Sequence, residues 1–337
     1  MFYQADWLLP FDAPPLRDGW IRVEADRITA IGTAMELPSS AEVRKFPGCT
    51  LLPGLINAHC HLELTSLKNC LPPGKSFPVW VEELRAFTAA LDSSDYLASA
   101  HKGVEQLLQG GTTTVVDVGN TGDALSVLAA SPLRSFGLVE TLGLDPSLAA
   151  FRFSHAISLI QHHLDTSRFH SGIAPHAAYS CSPELLAAVI KHQLSAKLPI
   201  TIHACESQED ADLFASGSGP LQEYCRRIFP DAPQHHGTSP IQWLESKGLL
   251  PDHALIVHGN HLDETDMDIL LNRKATVVHC HSSHAFFGHK PFPDRELNAR
   301  GIPVCLGTDS LASGYSLSML DQIRLFRKNF PDRKSVV

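Results

Sequence analysis

No stretch of this 337-residue chain approaches the roughly eighteen consecutive apolar residues a membrane helix needs. Residues 1 to 15 hold no basic segment ahead of an apolar one, so neither an export signal nor a membrane partner is expected. There is no run of lysine or arginine, and 27 Lys+Arg against 36 Asp+Glu leave a net charge of −9, which argues against nucleic acid as a partner. The eight cysteines are scattered without a C-x-x-C pair, which fits reduced thiols in a cytoplasmic protein. No G-x-G-x-x-G follows any strand-like segment, which counts against a doubly wound dinucleotide-binding sheet. With 44% hydrophobic and 19% charged residues the chain is neither disordered, collagenous nor coiled coil. What it has in excess is histidine: 19, more than two-thirds of Lys and Arg together, which directs attention to metal or proton chemistry.

Residues 1–52 alternate short apolar runs with turns such as Asp18-Gly19 and Asp26-Arg27, the pattern of a small antiparallel β domain. From residue 53 to 337 the rhythm changes. Eight β-branched runs, at 55–61, 112–118, 134–141, 172–175, 200–205, 254–258, 275–279 and 303–308, alternate with helical patterns. Ser182-Pro183, Ser239-Pro240 and Asp263-Glu264 mark helix starts, and two helices are expected at 79–91 and 95–109. Eight strand and helix pairs predict an α/β fold, a (β/α)8 TIM barrel behind a small N-terminal β domain. The residues from Pro331 onward read as a polar tail.

A barrel gathers its chemistry at the C-terminal ends of its strands. There the sequence places His59 and His61 on strand one, His176 on four, His203 and Glu206 on five, His258 on six, His279 and His281 on seven, and Asp309 on eight. Side chains on a strand alternate faces, so His59 and His61 share one, and closure brings strand eight beside strand one. Three imidazoles and one carboxylate suit a catalytic Zn2+ or Fe2+ with an open position. Taken alone, Glu206 is also a glutamate favoured at a helix N-terminus, and His258 a hydrogen-bonded core histidine.

The segments Pro53-Gly54-Leu55-Ile56-Asn57-Ala58-His59-Cys60-His61, Gly110-Gly111-Thr112-Thr113-Thr114, His203-Ala204-Cys205-Glu206, Val257-His258-Gly259 and Gly307-Thr308-Asp309-Ser310 resemble the amidohydrolase superfamily, in its cytosine deaminase and triazine hydrolase branch. The resemblance implies one metal held by His59, His61, His203 and Asp309, with Glu206 as proton shuttle and His258 holding the metal-bound water or the substrate. Asp309 thereby joins Glu206 and His258 among the catalytic residues. Strand four carries no lysine to bridge a second metal, and His176 in Ala174-Pro175-His176-Ala177 is similar to a substrate contact of this branch.

His-Leu-Glu-Leu-Thr at 61 to 65 and Ser283 to His289 look most like bacterial hydrolases of the 6-amino-6-deoxyfutalosine deaminase type. Glu63, Trp80, His176 and His284 are therefore expected to bind a heterocyclic small molecule, with His281, His289, Phe77, Phe286 and Phe287 nearby. The second H-x-H, His279 and His281, is placed opposite the first pair and is not expected to ligate. Adenosine-type relatives carry a ribose-binding glutamate where this chain has Phe87-Thr88-Ala89-Ala90, unless Glu82 or Glu83 substitutes. The small β domain reads as incomplete at the C-terminus, and its open edges leave a homodimer as an expectation. The leading function is hydrolytic deamination of a 6-aminopurine, with 6-amino-6-deoxyfutalosine first. Two alternatives stand beside it: removal of another leaving group, as by a triazine chlorohydrolase, and a catalytically silent barrel that binds a partner.

Overall fold

The computed structural model describes residues 1–331, so the tail read at 331 to 337 lies, after its first residue, outside the described residues. Two compact units are present, Met1–Leu55 and Ile56–Val337. No helix among the described residues is long and apolar enough to cross a membrane.

In the first unit β1 (Phe2–Leu8), β2 (Leu16–Arg17), β3 (Trp20–Glu24), β4 (Arg27–Gly32) and β5 (Val43–Leu51) share one sheet. Trp20 is buried against Phe2, ring centres 5.1 Å apart, and its Nε1 donates to the Thr33 carbonyl at 2.7 Å. The turn pattern predicts antiparallel pairing, which β1 makes with β2 and β3, and β3 with β4. β5 departs from it by joining β1 in parallel. Residues 33 to 42 are long enough to cross over and bring the chain back in the same direction, which a tight hairpin cannot do.

The second unit is built on β6 (Leu55–Cys60), β7 (Thr112–Gly119), β8 (Arg134–Thr141), β9 (Phe169–Pro175), β10 (Thr201–Ala204), β11 (Leu255–His258), β12 (Thr276–His279) and β13 (Val304–Leu306). These occupy the eight runs visible in the sequence. β6 to β9 form one sheet in chain order and β10 to β13 another. Parallel bridges Ala177↔His203 and Cys60↔Asp309 join the two sheets at both edges, so the barrel closes with strand eight beside strand one. The helices begin where capping residues stand. Ser182 accepts from the Leu185 amide, Ser239 from Gln242 and Asp263 from Asp266, each ahead of its helix. The two helices after β6 run Phe77–Thr88 and Ser93–Gln109.

Alternate residues of the strands divide between two apolar layers. Val115 and Val277 pack with helix residues such as Leu107, Leu128 and Leu186 in the main core. Their neighbours Val116, Val118, Leu138 and Ala174, and separately Val257, Val278, Cys280 and Ala58, cluster without any helix residue. The interior of the barrel is therefore packed, and only its strand ends are open to chemistry.

The seam between strands one and eight has no spare room. Asn57 Oδ1 accepts from the Thr308 amide at 3.1 Å and its Nδ2 donates to Thr308 Oγ1 at 2.8 Å. A Cβ added at Gly307 would lie 2.8 Å from the His59 carbonyl oxygen and 3.0 Å from His59 Cβ. Gly307→Ala is expected to destabilise by about 1 to 3 kcal/mol, the usual result of overpacking, read as a lower Tm by calorimetry. An unchanged Tm would show that the seam opens without cost.

Candidate metal centre and active site

At the end of β6 the alternation of side chains sends His59 and His61, the residue just past the strand, the same way, and their Nε2 atoms lie 3.0 Å apart. The His59 carbonyl accepts from the amides of Thr308 and Asp309 at 3.0 and 3.1 Å, which draws the end of strand eight against the pair. Asp309 Oδ1 then sits 3.5 Å from His61 Nε2 and 3.8 Å from His59 Nε2. Ser313 Oγ donates to the other oxygen, Oδ2, at 3.0 Å. From β10, His203 brings its Nε2 to 3.2 Å from His59 Nε2. Cys205, His258 and Asp309 all adopt positive φ, at 53°, 75° and 58°. Such strained turns at the ends of three strands are a mark of functional sites, where packing holds side chains in otherwise costly directions.

The donors fit a transition metal. His203 Nδ1 donates to the His176 carbonyl at 2.9 Å, so its Nε2 carries the lone pair. Burial pushes the pKa values of His59 and His203 down, that of His203 to about 4, and holds both rings neutral as ligands must be. For Asp309 burial alone would raise the carboxyl, but His258 and His61 outweigh it and keep it below the ordinary range. Three nitrogen lone pairs and an anionic oxygen converging in a buried spot repel one another unless a cation lies between them. His59, His61 and His203 offer ligand atoms within 4.8 Å of one another.

Beside this cage Glu206 Oε1 is 3.3 Å from His258 Nε2. Burial raises the Glu206 carboxyl well above its usual value, and the Asp309 charge adds to the effect. Burial also lowers His258, to about 3. The Glu206 backbone is clamped on both sides, its amide donating to Asp210 Oδ2 at 3.2 Å and its carbonyl accepting from Asn260 Nδ2 at 2.9 Å. These clamps leave the side chain free to handle protons.

A cavity of about 430 Å³ opens over the cage, within the usual range for a small-molecule site. His61, His203, Glu206, His258 and Asp309 line it, with Phe77, Trp80 and Leu84 along one wall and Arg85 and Arg152 further out. Trp80 packs edge-on against Phe287 at 5.1 Å and near-parallel to Phe77 at 6.2 Å, and its buried Nε1 has no hydrogen-bond partner among the described residues. His176 lines the cavity while its Nδ1 is engaged with Ser180 Oγ at 2.7 Å.

Several expected contacts are placed differently. Glu63 reaches the cavity wall, but its Oε2 accepts from the Asn120 and Thr121 amides and its Oε1 from Thr121 Oγ1, so it anchors the loop after β7. His284 is not part of the cavity lining. It bonds Asn260 Oδ1 through Nδ1 at 2.9 Å, among the rings of His279, His281 and His289, because the helix His281–Phe287 turns it away. Phe286 is buried against Phe287 and Tyr315. Glu82 pairs with Arg227 and Glu83 with Lys75, and neither lines the cavity. The placement of His279 and His281 opposite the first pair is corrected, since β12 adjoins β13. What separates His279 from the cage is its face: the ring stacks on Phe292 at 3.9 Å, on the helix side. Sequence reasoning missed Glu140, a cavity residue near the end of β8, although the strand-end rule applied to run 134–141 points at it.

Comparison with known proteins comes to the same architecture. The sequence matches the Amidohydrolase family over residues 50–331. It is 27% identical over 316 residues to a 5-methylthioadenosine/S-adenosylhomocysteine deaminase of Halobacterium salinarum, covering 91% of this chain and 68% of that protein. The crystal structure of Helicobacter pylori aminofutalosine deaminase in complex with methylthio-coformycin matches with a TM-score of 0.86 at 22% identity, covering 97% of this chain and 81% of the other. Atrazine chlorohydrolase from Arthrobacter aurescens, complexed with zinc, matches with a TM-score of 0.80 at 19% identity, covering 96% and 75%. At these identities the two structures speak to the fold.

Proposed function

Because the chain belongs to the amidohydrolase family, we propose that it hydrolytically deaminates an aminated purine nucleoside, with 6-amino-6-deoxyfutalosine as first candidate. One observation carries the reading: His59, His61, His203 and Asp309 converge, all but His59 lining the cavity, with the Glu206–His258 pair beside them at 3.3 Å. The relative named for 5-methylthioadenosine and S-adenosylhomocysteine supports an aminopurine as the class of substrate.

A divalent transition metal, zinc in this reading, would be held by those four residues and would supply Lewis acidity that brings the pKa of a bound water toward about 7. The protein's own groups do the rest. Phe77 and Trp80 offer a flat apolar wall for the purine ring. Glu206 Oε1 carries one proton of the water to the ring nitrogen and then the second, from the oxygen added at the carbon, to the departing amine. His258 Nε2, bonded to Glu206, orients that carboxyl and the oxygen added at the carbon. The C–N bond breaks, a C–O bond takes its place, and ammonia leaves.

The preference against adenosine rests on Thr88, which lines the cavity with its hydroxyl turned back to the Leu84 carbonyl at 3.0 Å. No carboxylate stands in that position, and the outer wall carries Arg85 and Arg152, which suit an acidic substituent. Ammonia release is expected with kcat/KM at least about tenfold higher for 6-amino-6-deoxyfutalosine than for adenosine, a difference of roughly 1.4 kcal/mol. Equal or reversed preference, or turnover only of chlorinated triazines or cytosine, would sink the substrate assignment.

A further inference from the structure

Of the four carboxyls that line the cavity, Glu206 and Asp309 have tasks in the proposed chemistry and Glu63 is spent on Asn120 and Thr121, which leaves Glu140. Its side chain is 5% exposed, and its Oε1 has no hydrogen-bond partner among the described residues although it stands on the cavity wall. A buried carboxyl oxygen without a donor is costly to keep, so the donor is to be sought in what enters the cavity.

Two local explanations fail. Glu140 does not orient His203, because Oε1 is 3.7 Å from His203 Nδ1 and that nitrogen already donates to the His176 carbonyl at 2.9 Å. Glu140, His176 and His203 do offer ligand atoms within 4.8 Å of one another. Yet His203 has its Nδ1 committed to the carbonyl and its Nε2 to the cage, and His176 Nδ1 is held by Ser180, so too few donors remain for a second cation.

We propose that Glu140 is a specificity-determining substrate contact whose carboxylate accepts a hydrogen bond from a sugar hydroxyl of the nucleoside. The inference rests on the aminopurine reading above. In an N9-substituted aminopurine the ring edge presents acceptors, and the amino group is the one that leaves. The remaining donors are the hydroxyls of the sugar. Glu140 approaches His203 at Nδ1, the ring edge away from His59, and so lies an imidazole's width from the cage. That distance suits a substituent and not the attacked carbon.

The test compares wild type, Glu140→Leu and Glu140→Gln on the preferred ribonucleoside and on its 2′- and 3′-deoxy analogues, with metal content measured on each protein. Glu140→Leu is expected to lower kcat/KM for the ribonucleoside by roughly 30-fold or more, mainly through KM. At least one deoxy analogue should be affected by less than about threefold, and Glu140→Gln, which keeps an acceptor, should stay within about tenfold of wild type. Metal content should not change. Equal losses on ribo- and both deoxynucleosides, no loss at all, or loss of metal from Glu140→Leu would each overturn the inference while leaving deamination standing. If Glu140→Leu does not fold, Glu140→Gln decides alone, since rejection of the ribonucleoside by more than about tenfold overturns the proposal and near-normal turnover supports it. No ammonia from any aminopurine with the wild type overturns the reading itself, and the inference with it.

Discussion

His61→Ala is expected to reduce bound metal from about one equivalent per chain to a small fraction of one, and kcat/KM by about 10⁴-fold or more, because water left to itself has a pKa of 15.7 rather than about 7. The distances make the effect specific. His61 Nε2 is 3.0 Å from His59 Nε2 and 3.5 Å from Asp309 Oδ1, so its removal opens one side of the cage. His61 lines the cavity with 13% of its side chain exposed, so its truncation enlarges an existing opening and the fold should survive. Elemental analysis after mild purification gives the stoichiometry. Chelation of the wild type should abolish activity, and added zinc should restore it there and not in the variant. Two equivalents in the wild type, or full retention in His61→Ala, would defeat the ligand assignment. A metal-free wild type would favour the catalytically silent barrel.

Glu206→Gln is expected to keep its metal and its Tm and to lose roughly 10²- to 10⁴-fold in kcat with little change in KM, the usual share of a positioned acid or base. The amide is nearly isosteric, and the clamps from Asp210 and Asn260 hold the backbone rather than the carboxyl. It can still hydrogen-bond His258, but it cannot carry a proton between water and the ring. His258→Asn should behave similarly, since it removes the partner 3.3 Å from Glu206 Oε1. Turnover by Glu206→Gln near the wild-type rate would transfer the shuttle to another group.

Legibility in the sequence followed how locally each feature is encoded. Helix starts at Ser182, Ser239 and Asp263 were readable because a cap acts within three residues. The eight strands were readable because strands covered on both faces appear as short continuous apolar runs. The pairing of β5 was not, because parallel and antiparallel partners share one alternation pattern and the direction is decided by the path of residues 33 to 42. Glu63 and His284 show the same limit within the site. Glu63 is placed by its distance from His61 and His284 by the loop after strand seven, yet the Asn120 and Thr121 amides hold one and Asn260 holds the other.

By itself the sequence determined that this is an α/β chain of eight strand and helix pairs, and which residues end each strand. It also determined that His59, Glu206 and Asp309 sit near those ends, because alternation and capping are properties of neighbouring residues. Only the tertiary structure decided which of those ends meet. The Cys60↔Asp309 bridge brings together residues 249 positions apart, and the seam around Asn57, Gly307 and Thr308 sets their spacing. It also decided which acids are spent on backbone amides and which, like Glu140, line the cavity with an oxygen that has no partner among the described residues. Burial and hydrogen bonding depend on everything packed around a side chain, and no short stretch of sequence carries that information.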